Sequence, residues 1–452
     1  MLKPVVKEAD LEPDTQKAFQ MMKGPYKEAY KLGFAMGFLP KEYGGGGVSN
    51  VDLQIVAEEI TAVDPGFATI LLVNGLGLMP VAWYGSEEQK RKWIGAATSD
   101  KNHEYLAGWT VSEPAGTPGG TANFDHPAAR PAGIGVVAEL DKGKGEYVLN
   151  GRKYWPCNSG GWDLKGADVN VVIVRTDPSE GGKQGLSGML VPRGAGGMRF
   201  EQPISKIGHR LCQNNDIVFE NCRVPEENVF ALGNGDLIIS KAFTWSGPVA
   251  AIAAVGVARS AYEYVLNWAK TYTAGSDKPI IHYQAVGYAL ADVAMKIEAC
   301  RAFSWKAAHY LDRFDSEGHA VGAMSKVLCG ELLFGAVFKA MQVMGVNALD
   351  RRHPIERYLP ALRCWQHRDA DAQDLGRDGR SGFRSAGDRR FAGDRVQEVD
   401  GGLDRRSRGL SRRCRAEPDV GVDRRDGAGL HTGRADEPPA GCQRSDGRST
   451  SQ

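Results

Sequence analysis

The stretch WTVSEP, from Trp109 to Pro114, and the stretch KYWPCN, from Lys153 to Asn158, lie in the part of the chain that decides the fold. From about Tyr105 the sequence becomes a series of short runs rich in valine, isoleucine and aromatic residues, separated by glycine, aspartate and asparagine. Runs of this kind are typical of β-strands. They end near Phe230 and predict an antiparallel β domain over residues 105–231.

Within this region, Asn150-Gly151 separates two apolar runs in EYVLNGRKYW. Asparagine followed by glycine suits a two-residue turn, because both residues readily adopt positive φ angles. The sequence therefore predicts a β-hairpin with its turn at these two residues.

The residues before the β domain, 1–104, show helical periodicity interrupted by the glycine-rich turn GFLPKEYGGGG. Apolar residues recur at three- and four-residue spacing at Leu53, Val56, Ile60 and Val63. Glu58 and Glu59 fall between them and are predicted to lie on the polar face. Asp64-Pro65 predicts the end of this helix. We therefore expect an N-terminal α-helical domain.

The residues after the β domain, 232–360, return to a helical pattern in three long amphipathic blocks, at 238–271, 283–312 and 318–345. Helices of this kind bury their apolar stripes against one another in a bundle. The order along the chain therefore predicts an α+β fold, with an N-terminal helical domain, a middle antiparallel β domain and a C-terminal helical bundle.

Residues 361–452 differ from the rest of the chain in composition. They contain 19 arginines, 13 aspartates and 14 glycines but no lysine, isoleucine, methionine, tyrosine or asparagine. A segment so poor in large apolar residues cannot bury enough surface to offset the entropy of ordering it, so we predict disorder. The same composition is expected of a GC-rich gene translated out of frame. We therefore hypothesise a frameshift near Leu359–Pro360, which would leave the bundle incomplete.

An alternative for this tail is an arginine-rich arm that binds nucleic acid. The 19 arginines are opposed by 16 acidic residues, which leaves a charge of only +3. Acidic side chains interleaved with the arginines would repel phosphates almost as strongly as the arginines attract them. We therefore expect no nucleic-acid partner.

The whole chain carries 56 basic and 55 acidic residues, so its formal charge of +1 favours neither nucleic acid nor an anionic membrane. Its eight cysteines include no C-x-x-C pair and do not cluster with histidine, which argues against a metal site. The first residues lack the apolar core of a secretion signal, and we find no run of about 18 apolar residues. We expect a cytoplasmic protein with no membrane partner.

Five motifs in a fixed order resemble the FAD-dependent acyl-CoA dehydrogenase family over about residues 1–360. They are the two stretches quoted at the outset together with LPKEYGGGG (Leu39–Gly47), MPVAWYGSEEQKRKWI (Met79–Ile94) and QVMGVNALDRRHPIERYL (Gln342–Leu359). The tail from 361 to 452 does not match the family. Each motif is weak alone, so the resemblance depends on their common order.

The resemblance implies FAD as the cofactor and assigns the residues that hold it. These are Trp109, Val111, Ser112, Trp155, Cys157, Gln342 and Gly345. Val111 and Ser112 would hydrogen-bond the pyrimidine side of the flavin ring, and Trp155 would pack beside it. Cys157 stands where the family usually has a threonine that hydrogen-bonds the flavin. Without the motif order, Trp109 and Trp155 would be interpreted as core aromatics of a β domain.

The resemblance also assigns residues to the substrate, namely Thr69, Thr117 and Ser246. Thr69 lies on the helix that borders the acyl pocket in the family, and Thr117 replaces a serine that contacts phosphate and substrate. Ser246 occupies a position where a minority of members carry the catalytic glutamate. Gly247 stands where an arginine is common.

The catalytic base stays unassigned. In most members it is a glutamate on a short Y-E-G turn just beyond the P-x-E-R helix. Nothing downstream of Tyr358 resembles that turn, although Asp369 and Asp371 fall at a comparable distance. Loss of a positioned base typically slows a reaction by about 10² to 10⁴. We therefore expect weak FAD binding and little turnover.

The reaction that the resemblance implies is α,β-dehydrogenation of an acyl-CoA thioester, with hydride transfer to FAD and electrons passing to an electron-transfer flavoprotein. A homo-oligomer, either a dimer or a tetramer, is expected. Two alternatives stay open. One is a flavoenzyme of the same fold with oxygenase or desulfinase chemistry, and the other is an inactive frameshifted product or a non-enzymatic protein.

Overall fold

The computed structural model describes residues 2–114, 134–180, 185–314 and 318–363. The predicted disordered tail begins at residue 361, but residues 361–363 belong to a helix, so the prediction is wrong for these three residues. The rest of the predicted tail, from 364 onward, lies outside the described ranges. Thr117, Asp369 and Asp371 also lie outside the described residues.

The N-terminal part is helical, as predicted. Its helices are α1 (Leu2–Ala9), α2 (Thr15–Met21), α3 (Lys23–Lys31), α4 (Asn50–Val63), α5 (Pro65–Tyr84), α6 (Glu87–Gln89) and α7 (Gly95–Thr98), with a π-helical turn, Lys90–Ile94, before α7. Asp64 follows α4 and caps α5, because its carboxylate accepts the Phe67 N–H at 2.7 Å. Pro65 takes the first position of α5, where its missing N–H costs nothing. The helix end predicted at Asp64-Pro65 is confirmed.

Helix α4 buries a different face from the one that its apolar spacing predicts. Glu58 is buried, whereas Val56 and Ile60 are only partly buried. Two arginines from later helices, Arg259 and Arg301, place side-chain nitrogens 3.1 and 2.8 Å from the Glu58 carboxylate. The prediction of a solvated Glu58 was wrong, because a carboxylate can be buried when cations pair with it.

The middle part of the chain forms one eight-stranded sheet within the described residues. Its strands are β1 (Ala107–Thr110), β2 (Val137–Asp141), β3 (Glu146–Cys157), β4 (Val169–Arg175), β5 (Leu186–Pro192), β6 (Met198–Phe200), β7 (Asn214–Pro225) and β8 (Val229–Phe230). The strand order is β6-β7-β3-β2-β4-β5-β8, and β1 also pairs with β4. Pairing is antiparallel, as predicted, except that β1 and the start of β2 lie parallel to β4.

Strand β4 is buried along its whole length, because both faces of the sheet are covered. Val171 and Ile173 lie in the main hydrophobic core, which the sheet shares with the helices. Val172 and Val174 lie in a second core on the opposite face, with apolar residues of β2, β3, β5 and β7. A strand covered on both faces needs a nearly continuous apolar run, which explains the sequence VNVVIV.

The β-hairpin predicted at Asn150-Gly151 was wrong. Strand β3 runs through both residues, and a β-bulge interrupts its register with β7 between Leu149 and Gly151. Gly151 has a φ of +134°, and the Asn150 side chain accepts the Asn221 N–H of β7 at 2.8 Å. The turn that joins β2 to β3 lies earlier, at residues 142–145. Pairing with β7 therefore overrides the local turn signal and uses the glycine for a bulge.

After the sheet, the chain forms α8 (Gly235–Thr271), α9 (Gln284–Phe314), α10 (Gly318–Met344) and α11 (Ile355–Arg363). Helices α8, α9 and α10 pack on one another, and α4 packs against α8 and α9. The three blocks predicted as long helices correspond to α8, α9 and α10. The predicted α+β fold, with a helical part on each side of the β-sheet along the chain, is confirmed.

Among the described residues, three helical segments are long and apolar enough to cross a membrane by length and composition alone: Pro65–Tyr84, Gly235–Thr271 and Ala320–Leu349. The statement that the chain lacks an apolar run of this length was therefore wrong. In α5, which has no charged residue, 67% of the candidate span is buried inside the protein. A helix surrounded by neighbours is apolar on all sides, so packing gives the same composition as a membrane span.

Candidate active site

The two stretches that decide the fold lie side by side. The Lys153 ammonium donates to the Val111 carbonyl at 2.8 Å, and the Tyr154 N–H donates to the Ser112 carbonyl at 2.8 Å. The segment after β1 is therefore bound to the end of β3. We refer to the two segments, residues 109–114 and 153–158, as the cradle.

A buried ion pair fixes the two halves of the cradle. Lys153 Nζ lies 3.0 Å from Glu113 Oε1, and the two side chains are 0% and 2% exposed. The Glu113 carboxylate also accepts the N–H groups of Gly135 and Val136, each at 2.9 Å. Burial lowers the pKa of Lys153, and the charge of Glu113 opposes that shift. Sequence reasoning missed this pair, although both residues stand in the quoted motifs, because a motif does not show which strands meet.

Trp155 presents an aromatic ring on the open side of the cradle. Its side chain is 41% exposed, and its backbone has a φ of +74°. A left-handed conformation is unfavourable for a bulky residue, and such outliers concentrate at binding sites. The N–H and hydroxyl of Ser112 have no hydrogen-bond partner among the described residues. An exposed indole beside available hydrogen-bonding groups fits the edge of a flavin ring.

Trp109 and Val111 lie behind this surface. Both side chains are buried in the main hydrophobic core, and the Val111 carbonyl is already occupied by Lys153. The Trp109 indole N–H has no partner within the described part of the chain. Trp109 thus packs as a core aromatic that supports the cradle, and its role as a flavin contact stays a prediction.

Helix α5 is buried on most sides but has one partly exposed stripe. The stripe consists of residues at three- and four-residue spacing, Thr69, Leu72, Leu76, Met79 and Trp83. Helix α8, which packs against α5, has partly exposed residues at Lys241, Phe243, Trp245 and Ser246. Of these residues, Met79 and Trp83 of α5 and Lys241 and Trp245 of α8 line a cleft between the two helices.

The cradle is bonded to the first half of α5, the helix whose second half lines this cleft. Asn158, the last residue of the cradle, donates through Nδ2 to the Ile70 carbonyl of α5 at 2.9 Å. This bond fixes the end of β3 beside Thr69, which precedes Ile70. Thr69 and Ser246 are not among the residues that line the cleft, and their contact with substrate stays a prediction.

Trp245 packs on the middle of α5. Its ring lies against α5 at Gly75, where an added Cβ would come within 2.6 Å of the ring. The rings of Phe38 and Trp83 meet it edge to face, with centroids 5.9 and 6.1 Å away. The cleft that it lines has a cavity volume of about 200 Å³, and its lining includes Phe38, Met79, Trp83, Lys241, Trp245 and Leu311. Trp245 therefore packs on α5 between the first half, which the cradle contacts, and the residues that line the cleft, a position that sequence reasoning missed.

His209 connects Thr69 to the end of α11. Its Nδ1 lies 3.0 Å from Thr69 Oγ1, and its Nε2 lies 3.2 Å from the Ala361 carbonyl oxygen. A carbonyl only accepts, so Nε2 carries the proton and Nδ1 is the acceptor that faces the threonine. Burial, and then the charge of Lys206, lowers the pKa of His209 to about 3, so the ring is neutral at physiological pH. The chain that leaves α11 thus starts beside Thr69.

Gly247 occupies a helix contact that has no space for a side chain. An added Cβ would lie 2.8 Å from the Gly322 carbonyl oxygen of α10. The two glycines let α8 and α10 approach closely. The arginine that is common at this position in the family therefore cannot be accommodated here without moving α10.

The contact at Gly247 gives a testable prediction. Gly247→Ala is expected to lower the free energy of unfolding by about 1–3 kcal/mol, because α8 and α10 must move apart. Gly287→Ala on α9 is the control, since an added Cβ meets nothing within 4 Å there. The control should instead raise stability by about 0.5–1 kcal/mol, because alanine is the better helix former. Urea denaturation followed by circular dichroism measures both, and equal midpoints would contradict the close contact.

Gln342 and Gly345 lie at the C-terminal end of α10, and both are exposed. Gly345 has a φ of +58°, which ends the helix. Helix α10 packs mainly on α8, α9 and α11. These two residues are therefore not part of the cradle, and their contact with FAD stays a prediction.

Three family models match the chain. They are the acyl-CoA dehydrogenase N-terminal domain over residues 1–101, the middle domain over 129–222 and the C-terminal domain over 233–367. The last match extends beyond residue 360, the predicted limit of the resemblance.

Individual relatives include both dehydrogenases and oxidases. Cyclohex-1-ene-1-carbonyl-CoA dehydrogenase of Geobacter metallireducens is 30% identical over 337 residues, which cover 74% of this chain and 83% of that protein. Nitroalkane oxidase of Fusarium oxysporum is 29% identical over 384 residues, covering 80% and 85%. A crystal structure of nitroalkane oxidase in complex with spermine has a TM-score of 0.76 at 27% identity, and covers 82% of this chain and 90% of that chain.

A helical part, a sheet that carries the cradle and a second helical part define a class of flavin-dependent oxidoreductases. The chain belongs to the acyl-CoA dehydrogenase family. It is an FAD-dependent enzyme of that fold, and the flavin contacts assigned to Ser112, Trp155 and Cys157 stay predictions. Because similar proteins include dehydrogenases and oxidases, family membership identifies the cofactor but not the substrate.

Proposed function

We propose that the protein catalyses α,β-dehydrogenation of an acyl-CoA thioester. The observation that supports this most is the mostly apolar stripe of α5, which begins beside the bond to the cradle and ends at the residues that line the cleft. A thioester placed at the cradle would have its acyl chain directed along the stripe from Thr69 towards Trp245. FAD supplies the two-electron acceptor that no side chain can provide.

The residues of the stripe and the cleft bind and orient the substrate but do not supply a base. Thr69 is the polar residue at the cradle end of the stripe, and no carboxylate belongs to the stripe or to residues 241–246 of α8. We infer that the base would come from the chain beyond Arg363, because His209 holds the end of α11 beside Thr69. Asp369 and Asp371, outside the described residues, stay the candidates by position alone.

The proposed activity is tested by anaerobic mixing of the FAD-loaded protein with saturated acyl-CoAs of increasing length. We expect a slow decrease in flavin absorbance that needs the acyl group, with free CoA as the control. The rate should lie about 10² to 10⁴ below that of an enzyme with a positioned base. Flavin that dithionite reduces but that no acyl-CoA reduces would contradict the proposal.

A second candidate is an oxidase reaction on a nitroalkane. The observation that favours it is the similarity to nitroalkane oxidase in both sequence and structure. Oxygen consumption separates the two reactions. An oxidase consumes oxygen with a nitroalkane and no added acceptor, whereas the dehydrogenase needs an electron-transfer flavoprotein or a dye with an acyl-CoA.

We also propose that the protein is a homo-oligomer in the cytoplasm, with contacts through α9 and α10. Large apolar residues are exposed along these helices and just after α10, at Tyr288, Met295, Leu328, Phe338, Val346 and Leu349. An exposed apolar surface of this kind is typical of a protein interface. Light scattering of the purified protein measures the mass, and a monomer at micromolar concentration would contradict this part of the proposal.

A further inference from the structure

Two cysteines that are distant in the sequence meet at the end of β3. Cys157, the last residue of β3, lies opposite Asn214, the first residue of β7. Cys212 lies two residues before Asn214, and its thiol, which donates to the Gln213 carbonyl at 3.6 Å, lies close enough to Cys157 to interact with it. The fold thus brings together two thiols that are not part of a C-x-x-C motif in the sequence.

The surroundings of Cys157 favour its thiolate. Asn214 Nδ2 donates a hydrogen bond to the Cys157 sulfur at 3.1 Å. The Lys206 ammonium donates to the Cys212 carbonyl at 2.5 Å and to the side-chain oxygen of Asn214, so a positive charge is fixed beside both cysteines. The hydrogen bond with Cys212, the Lys206 charge and Asn214 lower the pKa of Cys157 to about 7, against the opposing effect of burial.

The two cysteines differ in exposure. Cys157 is partly exposed, whereas Cys212 is buried. Cys300 on α9 and Cys329 on α10 form a second close pair, since the Cys329 thiol donates to the Cys300 carbonyl at 3.6 Å, but both are fully buried. A partly exposed cysteine whose surroundings favour the thiolate, next to a buried second thiol, is the arrangement that peroxides oxidise reversibly. Only the Cys157 pair combines the two features among the described cysteines.

We propose that Cys157 and Cys212 form a redox-sensitive pair that a hydroperoxide converts to a disulfide. The Cys157 thiolate attacks one peroxide oxygen, the O–O bond breaks, and the leaving oxygen takes up a proton, which leaves a sulfenic acid on Cys157. The Cys212 thiol then attacks the Cys157 sulfur, an S–S bond forms, and the sulfenic oxygen leaves as water. With hydrogen peroxide, the two thiols lose two electrons and two protons, and the peroxide becomes two water molecules.

Oxidation of this pair changes the cradle. Asn214, which donates to the Cys157 sulfur, also donates to the Trp155 carbonyl at 2.6 Å. A disulfide removes the thiolate from Asn214 and joins the end of β3 to the segment before β7. The enzyme is therefore expected to lose activity on oxidation and to regain it on reduction. The thiol chemistry itself needs neither FAD nor the proposed substrate.

The test uses the full chain treated with hydrogen peroxide, followed by alkylation and peptide mass spectrometry. We expect a peptide pair cross-linked through Cys157 and Cys212 that dithiothreitol separates. Its rate of formation should be about tenfold higher at pH 8 than at pH 6, because only the thiolate attacks and Cys157 titrates near pH 7. In Cys212→Ser, dimedone should label Cys157, because the sulfenic acid has no resolving thiol.

Cys300→Ser is the matched control, since it removes one member of the buried pair and should leave the rate of Cys157–Cys212 oxidation unchanged. Lys206→Gln should slow that oxidation at pH 7, and circular dichroism verifies that each variant is folded. The proposal is overturned if Cys157 reacts no faster than Cys300 in the folded wild-type protein. It is also overturned if Cys157 forms its disulfide with a cysteine other than Cys212.

Discussion

Replacing Lys153 by methionine is expected to lower the free energy of unfolding by about 3–5 kcal/mol, because it leaves a buried carboxylate without its cation. Glu113 is 2% exposed, so water cannot take the place of the ammonium. The two N–H groups that Glu113 keeps, from Gly135 and Val136, offset only part of the loss. Urea denaturation followed by circular dichroism measures the effect.

The same change is expected to weaken FAD binding. Lys153 holds Val111 as well as Glu113, and thus fixes the segment that carries Ser112 against β3. Without this contact the two halves of the cradle are joined mainly by the bond from the Tyr154 N–H to the Ser112 carbonyl. The flavin content of the purified variant, read from its visible absorbance, should therefore fall together with stability.

The neighbouring residue provides the control. Arg152→Met also removes a cation from β3, but Arg152 is 50% exposed and its partner Asp216 is 13% exposed, so water replaces part of the pair and the change should cost only about 1 kcal/mol. The double variant Lys153→Met with Glu113→Leu should recover part of the stability, because it removes the unpaired charge as well. If Lys153→Met and Arg152→Met had equal midpoints, the buried pair would not hold the cradle.

The fold was predictable because its signals are local. The three long helices and the short β runs each have a periodicity that a single segment displays. Asp64-Pro65 ends α4 where its chemistry predicts, since capping depends on residues close in the chain. The order of the parts follows directly from these segments.

The predictions that were wrong concern features that depend on residues far apart in the sequence. Asn150-Gly151 has the chemistry of a hairpin turn but forms a bulge, because β7 pairs with β3 on both sides of it. Glu58 has the spacing of a solvated residue but is buried, because Arg259 and Arg301 reach it from α8 and α9. The local sequence does not show which distant residues will pack against a segment once the chain has folded.

The candidate site was predictable as two adjacent segments but not as a working arrangement. The motifs predicted that residues 109–114 and 153–158 belong together, and the hydrogen bonds between them agree. The Lys153–Glu113 pair, the contact of Cys157 with Cys212 and the position of Trp245 could not be read from the motifs. Each depends on a side-chain direction that is set by tertiary packing.

Trp245 is expected to set the longest acyl chain that the cleft accepts. Its ring packs on α5 at Gly75 and lines the cavity of about 200 Å³. In the wild-type protein, affinity should increase with chain length and then level off once the chain reaches the indole. In Trp245→Ala it should continue to increase, because each further buried methylene contributes about 0.8 kcal/mol. Four more methylenes would then tighten binding by roughly 200-fold.

Isothermal titration with a series of acyl-CoAs measures this without turnover, so a missing base does not obscure the result. Trp83→Ala is the matched control. Trp83 also lines the cavity, but on α5 it lies further from the cradle than Gly75, where the Trp245 ring packs. Trp83→Ala enlarges the cavity but leaves the Trp245 ring in place. The affinity should therefore stop increasing at the same chain length as in the wild-type protein. If Trp245→Leu and Trp245→Ala, both verified as folded, levelled off at that same length, the cavity would not take up the acyl chain. If Trp83→Ala alone extended the range, the chain would enter the cavity by a path that avoids Trp245, and the acyl group would have to lie on a different face of α5.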